Sequence, residues 1–187
     1  MTIRKRTAVL IMLLAWWGSL AGGTSLVRMS VADMTRISSA VVRVRCMANE
    51  TGWQGGEIWT VTTFSVEETW KGATAIQIHV RLPGGSTGGL TSTIAGVPRF
   101  MPGEDVVLFL EAKGKGEFSV VSWMQGTFRV RRDVRSGGLI AWQDTAGFEE
   151  FDFSARENRA SHPRATSLAA LEAEVSGATL ETKGRRP

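Results

Sequence analysis

The sequence has no tyrosine, two histidines, five prolines and a single cysteine, Cys46, among 187 residues. One cysteine cannot form an intramolecular disulfide, so the disulfide-stapled scaffolds of small secreted proteins are excluded and the fold must rely on its core. Cys46, His79 and His162 stand too far apart to make a recognisable zinc constellation, and no metal or other cofactor is implied. Acidic residues are missing from the first 22 positions, which hold Arg4, Lys5 and Arg6. Without these three, the 22 basic residues fall to 19 against 18 acidic ones. The formal charge of +4 therefore belongs to the N-terminus rather than to a basic surface, which demotes nucleic acid as a partner.

What the N-terminus does contain is a basic cluster, the apolar run Ala8–Trp17, and small residues at Ser19 and Ala21. That order is the pattern of a secretory signal, and the run is shorter than the ~20 residues a spanning helix needs. Residues 1–23 are expected to be a signal peptide, cleaved after Ala21 or Gly23. No cysteine follows to carry a lipid. The expected location is exported, periplasmic or extracellular, with membrane attachment only if the segment stays uncleaved.

Residues 24–150 carry the pattern of one β-rich domain. Val31–Ser38 reads as a short helix, with Ser30 and Asp33 available for capping. Ala40–Ala48 alternates apolar and polar residues as a half-buried strand does. Asn49–Gly56 reads as a turn-rich connection to the long strand Ile58–Thr69, followed by Ile76–Leu82. The run Val106–Leu110 is apolar on both faces and predicts a central, fully buried strand. Leu90–Ile94, Phe118–Trp123, Thr127–Arg132 and Leu139–Trp142 complete the set, with a bulge or bend at Gln125-Gly126. The fold class predicted is all-β: a small OB-like barrel of five to six strands with a short N-terminal helix. Residues 151–187 read as a largely disordered, mobile polar tail containing a short helix over Ser167–Val175, too short to be stable alone.

The chemistry-bearing residues do not assemble into a catalytic motif. Cys46 falls with the buried set and His79 with the exposed set, so a thiol–imidazole site is disfavoured. The acidic pairs Glu67-Glu68, Glu104-Asp105 and Glu149-Glu150 are what a hydrolase would draw on, but they read as solvated strand ends and turns. Neighbours on a strand point to opposite faces, so Glu67-Glu68 cannot form a two-carboxylate site by itself. The segment Pro83–Gly89 (PGGSTGG) lacks the Lys-Ser/Thr ending of a phosphate loop. Trp53 lies in the turn-rich connection and Trp59 on the less regular face of its strand, where exposed indoles can meet a partner's side chains or a sugar.

In order, the segments VEETWKG, LPGGSTGG, GVPRFMPGEDVVLFLE and FSVVSWMQGTFRV resemble uncharacterised exported bacterial domains. Those domains share a V-x-x-x-W/L-K-G strand end, a PGG-x-x-GG loop and an F-x-x-G-E-x-x-x-L-F-L strand. They in turn resemble the OB-type barrel of the netrin and tissue-inhibitor-of-metalloproteinase group. That resemblance implies a barrel and a binding role. Those inhibitors chelate a protease's zinc through an N-terminal cysteine; here the only cysteine is Cys46, so that mechanism does not carry over.

The expected function is a non-enzymatic binding module with a protein partner, a protease among the candidates, ahead of a glycan. The contact surface expected is Trp53, Trp59 and the loop glycines Gly84, Gly85, Gly88 and Gly89. The alternatives are an exported hydrolase with acidic residues gathered from different strands, and an envelope structural protein anchored by an uncleaved N-terminal helix.

Overall fold

The structure, a computed structural model, describes residues 25–114, 116–143, 145, 149–152, 157–160 and 164–184. The expected signal segment lies outside them. Among the described residues the protein is mostly β, with two α-helices, and its centre is an OB-like barrel.

The long arms β2 (Ala40–Gln54) and β3 (Glu57–Lys71) form an antiparallel hairpin around Gly55-Gly56. Both turn glycines have positive φ, 60° and 84°, as a two-residue turn matched to the strand twist requires. Register shifts at three points along β2 curve the pair enough to start a barrel. The expected turn-rich connection over Asn49–Gly56 is corrected here: Asn49–Gln54 is strand, and only the two glycines turn. Its polar residues are held extended by cross-strand bonds, Thr62 Oγ1 to Asn49 Oδ1 at 2.7 Å and Thr51 Oγ1 with Thr60 Oγ1 at 3.0 Å.

β4 (Gln77–Pro83) pairs with β3, and the small hairpin of β5 (Gly85–Thr87) and β6 (Leu90–Ser92) follows. β7 (Asp105–Gly114) returns to pair with β2, and β8 (Glu117–Val120) pairs with β7. The circuit β7-β2-β3-β4-β8 meets itself where β8 also lies parallel to β4. That seam is two residue pairs long, His79 with Glu117 and Val80 with Phe118, so the barrel is only partly closed.

β9 (Thr127–Arg132) and β10 (Leu139–Gln143) extend the sheet from β7, and β13 (Arg164–Ser167) edges it. A separate sheet joins β1 (Ser25–Val27) to β11 (Glu149–Asp152) and β12 (Glu157–Ala160). Because β2 and β7 are covered on both faces, there are two apolar cores. Val42, Val44, Phe64, Val80 and Leu108 fill the barrel, and Phe100 meets Phe64 edge-on with ring centroids 5.0 Å apart. On the outer wall, Val41, Val107, Phe109, Phe128 and Ala141 pack with Met34 of helix α1 (Val31–Ile37). Val106–Leu110 is buried throughout, as its two-sided apolar pattern predicts.

Helix α2 (Leu168–Gly184) seals the same outer core with Leu168, Leu171 and Val175. It runs well past the expected Ser167–Val175 and is docked rather than free. Its stability comes from burial of that face against residues distant in sequence, which an isolated short helix lacks. No helix among the described residues is long and apolar enough to cross a membrane.

Candidate functional site

Several of the sequence segments singled out above turn out to hold the fold together. Lys71 donates from Nζ to Ser38 O at 2.7 Å and to Thr35 O, so its ammonium sits on the C-terminal carbonyls of α1, where a positive charge is favoured. Gly72 has φ +79°, and an added Cβ would lie 2.4 Å from Ser39 O, so the Lys-Gly pair fits only this crossing. Glu104 accepts from Met101 N at 3.0 Å and pairs with Arg129. Asp105 takes Arg43 on two nitrogens, Nε at 3.1 Å and Nη2 at 2.8 Å, and Glu68 takes Arg43 Nη1 at 2.6 Å. The indole N–H of Trp70 and the Arg43 guanidinium hold the Glu68 carboxyl below the usual glutamate range.

Cys46 and His79 are kept apart, as their alternation predicts: Cys46 is buried, its thiol pKa pushed up by burial, while His79 is exposed and bonds Thr63. His162 and the side chains of Glu149 and Glu150 lie outside what is described. Among the described residues no group of three metal-ligating side chains occurs.

Trp53 and Trp59 do share a surface. Trp53, 56% exposed at the end of β2, and Trp59 on β3 line one shallow cleft of about 260 Å³ with Glu50, Gln54 and Val61. The glycines divide into two kinds. Gly88 and Gly89 form the exposed β5–β6 turn, with φ of 58° and 76° and open space around them. Gly84 and Gly85 are buried; a Cβ on Gly85 would lie 2.4 Å from both Thr51 Cγ2 and Thr60 Oγ1. The close packing there, rather than flexibility, is why this loop needs its first two glycines. Behind it, the inner face of the β2–β3 hairpin and Arg99 form a hydroxyl-rich cleft of about 290 Å³ lined by Thr51, Thr60, Thr62, Ser86 and Thr91.

A third cleft, about 460 Å³, lies on the outside of the seam between β4 and β8, and is lined by Trp59, Arg81, Pro83, Lys113, Glu117, Ser119 and Trp123. The Arg81 guanidinium stacks over the Trp59 ring, 4.3 Å from its centroid. Trp123 arrives by an unusual route. β8 and β9 lie along one edge of β7, with Val121 N bonded to Phe109 O and Thr127 paired with Leu108. Between them Ser122–Gly126 loop out of the strand in a short 3-10 turn. Ser122 and Trp123 take the left-handed conformation, φ 47° and 49°. That region disfavours residues with a Cβ by roughly 1–2 kcal/mol each. Gly126 lets the chain rejoin β7, since a Cβ there would lie 2.1 Å from Val121 O. An inserted excursion that re-aims one bulky side chain is the kind of local strain found at ligand clamps. Sequence reading missed both Arg81, visible only as one of three outward residues of β4, and Trp123, read as the end of a plain strand.

No protein-family profile matches the chain, and no curated protein is significantly similar to it in sequence.

Proposed function

We propose that the chain is an exported, OB-like binding module that engages a protein partner through the tip of the β2–β3 hairpin, with Trp53 and Trp59 as anchors and the exposed β5–β6 turn at Gly88-Gly89 as a second contact. The observation that carries the reading is the exposed Trp53 beside Trp59 and Val61 on a projecting hairpin. Large aromatics at the centre of a shallow surface are the side chains that dominate protein interfaces. A second feature favours a protein over a glycan. Beyond Cys46, whose N–H and C=O are taken by Glu104 and Gly103, no described strand pairs with the second edge of β2, so a partner can add backbone hydrogen bonds toward the hairpin tip.

The hydrolase alternative needs two carboxylates free to face one cleft. The best-placed carboxylates are instead committed to cations, Glu68 and Asp105 to Arg43 and Glu104 to Arg129. An anchored envelope protein is distinguished by the N-terminal mass of the isolated protein. A protease partner is one case of the proposal, and any inhibition would proceed without a chelating N-terminal cysteine.

The test is retention of binding partners from culture fluid and envelope extract on the immobilised protein. One partner is expected to be held by the wild type and lost by the W53A/W59A double variant. Retention unchanged by the double variant would refute the assigned surface, and a blank here with a positive glycan array would replace the protein reading with a glycan one.

A further inference from the structure

The cleft over the β4–β8 seam carries features that the partner surface does not explain. Among the described residues the Arg81 guanidinium forms no hydrogen bond and no ion pair, and its Nε is sealed from solvent without a partner. A buried donor of this kind is expensive to leave unmade. The Trp59 ring beneath it sets the plane of the guanidinium, and its two terminal nitrogens, which form no hydrogen bond to any described residue, are the donors left for a ligand. Trp123, held in its left-handed excursion, and Pro83 supply apolar wall, and Ser119 adds a hydroxyl.

The charge balance narrows the ligand. Among the described residues the charged side chains lining the cleft are Arg81, Lys113 and Glu117. Lys113 is also drawn to Glu111, its Nζ 2.7 Å from the carboxylate. With Lys113 held by Glu111, Arg81 is the cation left to meet an anion; Glu117 in the same lining repels a dianionic phosphate more than a single carboxylate, and a carboxylate matches the guanidinium fork in a planar, two-bond contact. The volume of about 460 Å³ suits a small organic molecule.

We propose that this cleft binds a small monocarboxylate with an apolar or aromatic body, the carboxylate on Arg81 and the body between Trp59, Trp123 and Pro83. The proposal stands independently of the protein-partner reading, since it uses the far side of Trp59 and residues of β4, β8 and the Ser122–Gly126 excursion.

The test titrates the full chain with 3-phenylpropionate, and with its uncharged amide as the control, following the tryptophan indole N–H resonances. A ligand of this size predicts saturation with Kd on the order of 1 mM. The indole signals of Trp59 and Trp123 are expected to move, and those of Trp53 and Trp142 to stay. The amide and the R81Q variant should each bind at least roughly tenfold more weakly, as loss of a charge-assisted pair requires. R81K, which keeps the charge and loses the fork, is expected to fall between R81Q and the wild type and guards against a folding defect in R81Q. Equal affinity for acid and amide, full affinity in both Arg81 variants, or no saturable shift at the two indoles would each overturn the proposal.

Discussion

Leu171 on α2 tests whether the C-terminal helix belongs to the folded unit. Leu171 is 1% exposed and packs in the outer core formed with Val107, Phe109 and Met34, whereas Leu180 on the same helix is 69% exposed. Truncating a fully buried leucine to alanine removes its transfer energy and leaves a cavity, together 2–5 kcal/mol in ordinary cores. A helix packed on one side can settle partly into the gap, so about 3 kcal/mol is expected for Leu171→Ala. With a urea dependence of about 2 kcal/mol per molar, the unfolding midpoint should fall by roughly 1.5 M. Leu180→Ala should stay within about 0.5 kcal/mol of the wild type. Tryptophan fluorescence reports the barrel, and amide exchange reports α2 separately. If α2 unfolds at low urea in the Leu171 variant while the barrel midpoint stays put, the helix is a detachable unit. If both variants match the wild type by both probes, the docking of α2 is refuted.

Gly85→Ala should destabilise by more than about 2 kcal/mol, since φ is +137° and the new Cβ would strike Thr51 and Thr60; Gly88→Asn, at φ 58° in open space, should be neutral within about 0.5 kcal/mol in the same urea assay. Glu68 titrates below its ordinary value of 4.5 in the folded state, so its stabilising contribution is complete above that value and is lost as pH falls through the lower folded one. Glu68→Gln is therefore expected to flatten the acid limb of a stability–pH profile; an unchanged limb would count against the Trp70 and Arg43 contacts. The buried Cys46 thiol, its pKa raised by burial, should resist a thiol reagent at pH 8 in the native state and react fully once unfolded in urea. Rapid native reaction would mean that the barrel interior opens readily.

Much of the barrel is written in local patterning. Ile78, Val80 and Leu82 alternate cleanly and all three point into the barrel, and the two-sided apolar run Val106–Leu110 marks the strand shared by both cores. Asn49–Gln54 was illegible as strand because its residues are turn formers by composition; the threonine and asparagine pairs across the hairpin decide its conformation, and those depend on register. The apolar face of α2 was visible, but the surface that receives it is assembled from residues some sixty positions earlier, such as Val107 and Phe109. Trp53 and Trp59 could be singled out as exposed indoles, but the cleft they share at the hairpin tip could not be read, because the register sets them opposite Ile58 and Gly52, on alternate faces of the ladder. Arg81 and Trp123 could not, because one is ordinary within an alternating strand and the other is aimed by a looped-out turn visible only against β7.

The two-pair seam between β4 and β8 has a mechanical consequence. A ring of strands is as tight as its shortest junction, so thermal breathing of this barrel should begin at His79–Val80 and Glu117–Phe118 and spread along β8 toward Trp123. Arg81 stands on one lip of that junction and Ser119 on the other. Any molecule gripping both lips would act as a clasp, slowing solvent exchange at the amides of β4 and β8.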